Sequence, residues 1–105
     1  MQAVADSLFR ALADPTRRAL FERLARDGEQ TVHALTSRAG VSQPAVSKHL
    51  IVLKVAGLVR DRREGRETHF SARPKALEPL TDWLGHYDAF WRDHFERLGT
   101  TLDKM

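Results

Sequence analysis

The chain has 105 residues, of which 42% are hydrophobic and 30% are charged, and it contains no cysteine. This length and composition are typical of a single soluble globular domain, which we predict over residues 1–105. The lack of cysteine excludes disulfides and thiolate metal sites. No apolar run of membrane-spanning length and no signal-peptide pattern is present. We therefore expect a cytoplasmic protein with no membrane partner.

Positive charge is concentrated in the middle of the chain. Residues 41–73 carry seven Lys or Arg against three Asp or Glu, an excess of four, while the whole chain has a net charge of +3. A surface that faces phosphates would explain this concentration. A solvated basic face is the alternative interpretation.

The first predicted element is a short amphipathic helix over residues 3–12, with Val4 and Leu8 on one side and Phe9 beside them. A second helix is predicted to begin at Asp14-Pro15, an N-cap followed by a first-turn proline, and to run to about residue 27. Arg17 and Arg18 lie near its start, where they could approach a DNA backbone or remain exposed to solvent.

Residues 31–56 have the pattern of a helix-turn-helix. Thr31 is a candidate N-cap for a short helix over residues 31–38, and Ala39-Gly40 supplies the small residues of a tight turn. Two short helices joined in this way predict a DNA-binding unit whose second helix enters the major groove.

The second helix of this unit is amphipathic. Ser42 suits its N-cap and Gly57 its end, while Val46, Leu50 and Leu53 follow the spacing of one helical face. The opposite face is polar or cationic, and its members are Gln43, Ser47, Lys48 and Lys54. Such a helix has one face for a core and another for a polyanion.

A β-hairpin is predicted after this helix, within residues 58–72. Two strand-like segments, 58–63 and 66–71, flank Glu64-Gly65. An isolated hairpin is only marginally stable, so we expect Leu58, Val59 and Phe70 to pack against the helices. A cationic hairpin directly after a recognition helix predicts a wing, whereas the alternative is an ordinary exposed hairpin. The arginines near its tip are Arg62, Arg63 and Arg66.

The last predicted helix spans residues 79–99 and carries most of the aromatic side chains. Its apolar stripe and the aromatics that widen it are Leu80, Trp83, Leu84, Tyr87, Phe90, Trp91, His94, Phe95 and Leu98. So wide an aromatic surface exceeds what a small domain can bury, and such surfaces mark interfaces. We predict that it pairs two copies of the chain, together with Val4, Leu8 and Phe9 of residues 1–12. A helix packed inside the domain is the alternative.

Several segments resemble the ArsR-type winged-helix repressors of bacteria. The resembling segments are residues 13–18 (ADPTRR), 41–50 (VSQPAVSKHL), 56–59 (AGLV) and 62–66 (RREGR). Asp82-Trp83-Leu84 with Tyr87, Phe90 and Trp91 is similar to the last helix of a metal-independent subgroup. The resemblance implies a mainly α winged helix-turn-helix fold with about five helices and a wing. It also implies a homodimeric repressor, joined through its first and last helices, that binds an inverted repeat in double-stranded DNA.

The best-known members of that family release DNA when they bind metal, and this chain departs from them. Ser47, Lys48 and His49 stand where their cysteine motif lies on the recognition helix. Asp82 and His86 could share zinc with a partner subunit, but their spacing does not reproduce the family's motif. We therefore expect no metal and no cofactor.

The predicted base-reading residues lie in the first turns of the recognition helix. Gln43 can pair with adenine, Ser47 can bond to either base edge, and Lys48 can reach guanine or phosphate. Ala45 can touch a thymine methyl group, while His49 either contacts phosphate or packs under the helix. The full set of predicted DNA-binding residues is Thr31, Ser42, Gln43, Pro44, Ala45, Ser47, Lys48, His49, Arg62, Arg63 and Arg66.

Other classes of function are less consistent with the sequence. No nucleophile elbow, phosphate loop, metalloprotease motif or carboxylate pair indicates an enzyme. A winged-helix module that binds only proteins would use the aromatic helix equally well. A repressor whose aromatic interface encloses a small organic effector also remains open.

Overall fold

The computed structural model describes residues 2–103 of the chain and the side chains of residues 3–98. Residues 1, 104 and 105, which the predicted domain 1–105 also includes, lie outside this part. The described residues form six α-helices, a short 3-10 helix and a three-stranded antiparallel sheet. The mainly α architecture with a hairpin is confirmed, with six helices in place of about five.

Helices α1 (Gln2–Ala13) and α2 (Pro15–Asp27) are separated only by Asp14. The Asp14 carboxylate accepts a hydrogen bond from the backbone N–H of Arg17 at 3.0 Å and thereby caps α2. This bond holds the pKa of Asp14 below its ordinary value, because it stabilises the charged form. The predicted start of α2 at Asp14-Pro15 and its end near residue 27 are confirmed.

The helix-turn-helix consists of α3 (Val32–Thr36) and α4 (Gln43–Val55). Thr31 and Ser42 are the N-caps, and their hydroxyl oxygens accept hydrogen bonds from backbone N–H groups at 3.1 and 3.3 Å. Helix α3 is shorter than predicted, since the chain leaves the helical path after Thr36. The conformation of Gly40, at φ 71°, suits the turn between the two helices.

The wing is a hairpin of β2 (Val59–Glu64) and β3 (Glu67–Ala72). Its turn is Gly65-Arg66, one residue later than predicted, with Glu64 paired to Glu67. The reason is that a two-residue hairpin turn requires positive φ at its first central position, and Gly65 supplies it at 62°. A turn centred on Glu64-Gly65 would have placed a side chain at that strained position.

A third strand, β1 (Gln30–Thr31), joins the outer edge of β3, which gives the strand order β1-β3-β2. Thr31 lies opposite His69, and His69 lies opposite Arg62, so these three residues form one row across the sheet. This strand was not predicted, because two residues carry no recognisable alternation.

The core lies where α1, α2 and α4 meet α3 and the sheet. Its buried members are Leu8, Ala11, Leu20, Phe21, Leu24, Leu35, Val46, Leu50, Leu53, Leu58, Val59 and Phe70. The three predicted hairpin contacts are therefore confirmed. Leu8 was predicted at a subunit interface, but its 1% exposure makes it part of this core, so it offers no surface to a partner.

The last helical region is broken into two helices, and the predicted continuous helix over 79–99 is wrong in this respect. A 3-10 helix (Pro74–Leu77) leads into α5 (Glu78–Gly85), and α6 (Asp88–Asp103) follows after two residues.

The break follows Gly85, which has one of the lowest helix propensities of any residue. The backbone N–H groups of His86 and Tyr87 bond to carbonyls three residues back, at 3.2 and 3.0 Å, so the last turn of α5 tightens. Asp88 then begins α6, where a negative charge is favourable near the helix N-terminus. Within residues 2–103, no helix has both the length and the apolar character needed to cross a membrane.

We expect Leu50→Ala to destabilise the protein by about 2–5 kcal/mol, because it removes a fully buried side chain and leaves a cavity. Ile51→Ala, at the next position of α4 where the side chain is 58% exposed, should change stability by no more than about 0.5 kcal/mol. Urea unfolding of both variants at one protein concentration measures the difference. Equal losses would show that the α4 stripe is not the anchor of the fold.

Candidate nucleic-acid interface

The first two turns of α4 present a polar face to solvent. Ser42, Gln43, Pro44 and Lys48 are exposed, while Ala45 and Ser47 are half-buried at the edge of this face. The opposite side of the same turns is fixed in the core by Val46, which is completely buried. Burial of the apolar stripe therefore determines which side chains a ligand can reach.

His49 lies on the side of α4 that faces α2. Its Nδ1 atom is 3.4 Å from Nη1 of Arg17, on α2, and the side chain is half-buried. Of the two roles left open for His49, the structure supports packing under α4. An imidazole engaged in this way supports the recognition helix, and a phosphate contact of His49 stays a prediction.

Arg17 and Arg18 also have structural partners. Arg17 donates to the carbonyl oxygens of Ala11 and Arg10 at 2.7 and 3.2 Å, and Arg18 donates to that of Leu12 at 3.0 Å. These carbonyls belong to the last turn of α1, where helical partners are lacking. The two arginines thus cap α1 from the start of α2.

The wing arginines divide into two groups. Adjacent strand residues face opposite sides of a sheet, so Arg63 lies on the side of Phe70 and the helices, and Arg62 lies on the outer side with His69. Among the described side chains, neither Arg63 nor Arg66 is paired with a carboxylate. These two exposed guanidinium groups are the free cations at the tip.

Arg62 differs from the other two predicted arginines of the tip, because its guanidinium is bound within the protein. It donates to both carboxylate oxygens of Glu29 at 2.6–3.0 Å and to Glu64 at 2.9 Å. The bridge to Glu29 crosses the middle strand over His69, whose Nδ1 is 3.7 Å from Glu29 Oε1. This bridge could not be predicted from the sequence, because it depends on the unpredicted strand β1, next to Glu29.

Both partners of this bridge are held in their charged forms. The hydrogen bonds from Arg62, followed by its positive charge, keep the pKa of Glu29 below its ordinary value of 4.5. Hydrogen bonds to Glu29 and then to Glu64 raise the pKa of Arg62. Because the folded-state pKa of Glu29 is depressed, the bridge stabilises the fold above pH 4.5, and this contribution is lost as the pH falls through the folded-state value.

A cleft of about 290 Å³ lies between the helix-turn-helix and the wing. It brings together four predicted DNA-binding residues, which are Thr31, Gln43, Ser47 and Arg66. It also includes His33 and Thr68, which are not among the predicted DNA-binding residues. Neither residue belongs to the recognition-helix pattern or the arginine cluster, so the sequence offered no signal for them.

The predicted dimer residues lie on an apolar surface formed by α1, α5 and α6. Except for the buried Leu8 and the half-buried Leu80, they are exposed, and Phe90 and Phe95 reach 62%. The ring centroids of Phe9 and Trp83 are 5.4 Å apart and edge-to-face, so α1 and α5 form one continuous patch.

Asp82 and His86 lie beside this patch. Together with Asp6, Phe9 and Trp83 they line a cleft of about 290 Å³ between α1 and α5. Among the described residues, no group of three or more His, Cys, Asp or Glu side chains is arranged to hold a metal ion.

Comparisons with known proteins place this fold in a family. A family model described as a helix-turn-helix domain matches residues 12–62. The HTH-type transcriptional regulator Rv2034 of Mycobacterium tuberculosis is 46% identical over 86 residues, covering 82% of this chain and 77% of that protein. A crystal structure of an ArsR family transcriptional regulator has a TM-score of 0.78 at 29% identity, covering 88% of this chain and 94% of that one. The chain belongs to the ArsR family.

Two further proteins similar to this ArsR family protein are described by their activity or their assembly. The transcriptional repressor SdpR of Bacillus subtilis is 30% identical over 79 residues, covering 75% of this chain and 87% of the repressor. A solution structure of the homodimeric winged helix-turn-helix DNA-binding domain Mb0332 of Mycobacterium bovis has a TM-score of 0.68 at 26% identity, covering 82% of each chain. The chain is thus an ArsR-type transcriptional regulator with a DNA-binding helix-turn-helix, and not an enzyme.

Adjacent wing arginines should differ in their effect on DNA binding. Removing the unpaired Arg63 by Arg63→Ala should flatten the plot of log affinity against log salt by about one unit, the effect of one lost phosphate contact. Arg62→Ala should flatten it clearly less, because Glu29 already neutralises that charge. Fluorescence anisotropy titrations over a salt series measure both slopes, and an equal or larger effect of Arg62→Ala would contradict the assignment.

Proposed function

We propose that this protein is a homodimeric, sequence-specific repressor that binds an inverted-repeat operator in the cytoplasm and does not sense metal. One observation carries the proposal: the buried stripe of α4 turns its Gln43, Ser47 and Lys48 side outward, and Gln43 and Ser47 share a cleft with the unpaired Arg66 of the wing tip. A polar helix face next to free cations fits the major groove and its flanking phosphates.

The base-reading roles follow from the exposed chemistry of α4. Gln43 offers an amide that can bond two positions of adenine, and Ser47 offers a hydroxyl for either base edge. Lys48 can reach guanine or phosphate, and Ala45 a thymine methyl group. Ser42 and Thr31 accept bonds at the helix starts through their oxygens, so their hydroxyl protons are available for phosphate.

The dimer is supported by the apolar surface of α1, α5 and α6. Every residue from 81 to 98 is exposed in the single chain, including Trp83, Trp91 and Phe95. Monomeric proteins rarely leave so many aromatic side chains in contact with water. The homodimeric Mb0332 domain supports the same assembly for this chain. Two copies would present their recognition helices to half-sites about one DNA turn apart.

Repression without metal sensing is the simplest regulatory scheme for this chain. The relation to the repressor SdpR supports repression, and the lack of cysteine means that no thiolate site can form at the recognition helix.

Selection of bound DNA from a random pool, with and without zinc, tests the proposal. We expect the same inverted repeat to be enriched in both selections. A zinc-dependent difference would favour a metal-responsive repressor, and no enrichment at all would favour a protein-interaction module.

Gln43 and Arg63 should contribute to binding in different ways. Gln43→Ala should cost roughly 1–3 kcal/mol at one base position and relax the preference there. Arg63→Ala should weaken binding to every sequence by a similar factor. Competition assays with operators altered at single positions distinguish the two effects, and equal changes in specificity would overturn the roles assigned here.

Trp91 should be an important contact of the dimer. Trp91→Ala should raise the dimer dissociation constant by at least tenfold, because buried tryptophans often contribute about 2 kcal/mol or more at interfaces. Sedimentation equilibrium measures this constant. Val55→Ala, which trims an exposed side chain on α4, is the control and should leave it unchanged. A Trp91→Ala protein that dimerises like the parent would place the interface elsewhere.

A further inference from the structure

The cleft between the wing and the helix-turn-helix gathers hydrogen-bond donors from three elements. His33 comes from α3, Gln43 and Ser47 from α4, and Arg66 and Thr68 from the wing. In the part of the chain whose side chains are described, none of these five side chains forms a hydrogen bond or ion pair within the protein. Polar groups that converge without satisfying one another are ready to bind a ligand.

The donor set fits an anion. Arg66 carries a permanent charge, while His33, Gln43 and the hydroxyls of Ser47 and Thr68 can each donate a hydrogen bond. Glu67 also borders the cleft, but its Oε2 lies 3.8 Å from Nε2 of His69, on the outer side of the sheet. The side chain of Glu67 thus turns away from the cleft, and the groups that face it have the chemistry of a phosphate site.

The position of Thr68 supports this interpretation. Thr68 pairs with Arg63 across the hairpin, and Phe70, two residues along β3, is buried against the helices. Because alternate residues share one face of a strand, Thr68 faces α3 and α4. Its side chain therefore lies on the cleft side of β3, where Thr68 lines the gap between the wing and the recognition helix.

DNA geometry indicates which phosphates occupy this gap. In the proposed complex α4 lies in the major groove and the wing tip approaches the adjacent minor groove. One sugar–phosphate backbone separates two such grooves, so it must pass between the helix and the wing. We infer that the cleft binds a phosphate of this backbone, with Thr68 and His33 as further phosphate-binding residues beside Arg66. This inference rests on the proposed function.

The test is a set of hydroxyl variants measured on the operator selected by the parent protein. Thr68→Val should weaken binding about tenfold, since a hydrogen bond to a charged group is lost, and by the same factor on operators altered at single base pairs. Thr68→Ser keeps the hydroxyl and should restore the parent affinity. Ser71→Ala removes a hydroxyl from the opposite face of β3 and should have no effect. Thermal unfolding of each variant verifies that it folds.

Replacing single operator phosphates with neutral methylphosphonates then identifies the contact. At one position in each half-site the replacement should lower the DNA affinity of the parent protein severalfold. The same replacement should lower the affinity of the Thr68→Val variant little further. Three results would overturn the inference while leaving the repressor proposal intact. The Thr68→Val protein could bind DNA as tightly as the parent, or its loss of affinity could depend on the base sequence. The third is a loss of affinity that adds fully to the effect of the methylphosphonate at every phosphate position. A parent protein that binds no DNA would overturn both.

Discussion

Burial of Val46, Leu50 and Leu53 is the interaction on which the rest of the structure depends. These side chains are completely excluded from solvent, and they fix the rotation of α4 about its axis. A rotation by one residue, about 100°, would move the polar side chains off the outer face and expose leucine in their place. The hydrophobic core therefore determines not only the stability of the domain but also the surface that it offers to DNA.

The sheet performs a similar function for the wing. Strand pairing places Arg62 and Arg63 on opposite faces of the sheet, and of these two only Arg63 remains a free cation. Exposed ion pairs contribute little on average, but one with three hydrogen bonds to the same carboxylate and a fourth to Glu64 has the geometry of the stronger ones. The Glu29–Arg62 bridge ties β2 across β3 to the residue that precedes β1, and it thereby favours a single orientation of the wing. It leaves Arg63 and Arg66 as the free cations of the tip.

Much of this structure could be predicted from the sequence because its signals are local. Asp14, Thr31 and Ser42 cap the helices they were predicted to cap, and the apolar spacing of α4 gave its buried face. What could not be predicted depends on contacts between distant segments. Leu8 and Phe9 are neighbours in one amphipathic pattern, and only packing against α2 decides that Leu8 is buried. The role of Arg62 follows from the pairing of β1 with β3, and the role of Thr68 follows from the face of β3 on which it lies. Short sequence patterns of two or three residues specify neither of these features. The break after Gly85 was missed because the aromatic spacing continues across it.

The central claim, that the start of α4 enters the major groove twice in one complex, can be tested by directed cleavage. The chain has no cysteine, so Val41→Cys just before the Ser42 cap provides a single site for an iron–EDTA cleavage reagent. With the label there, we expect two cleavage centres related by the operator's twofold axis, about 10 base pairs apart. The same label at Glu22→Cys, on the exposed side of α2, should give much weaker cleavage. Stronger cleavage from position 22 than from position 41, or a single cleavage centre per complex, would contradict this account.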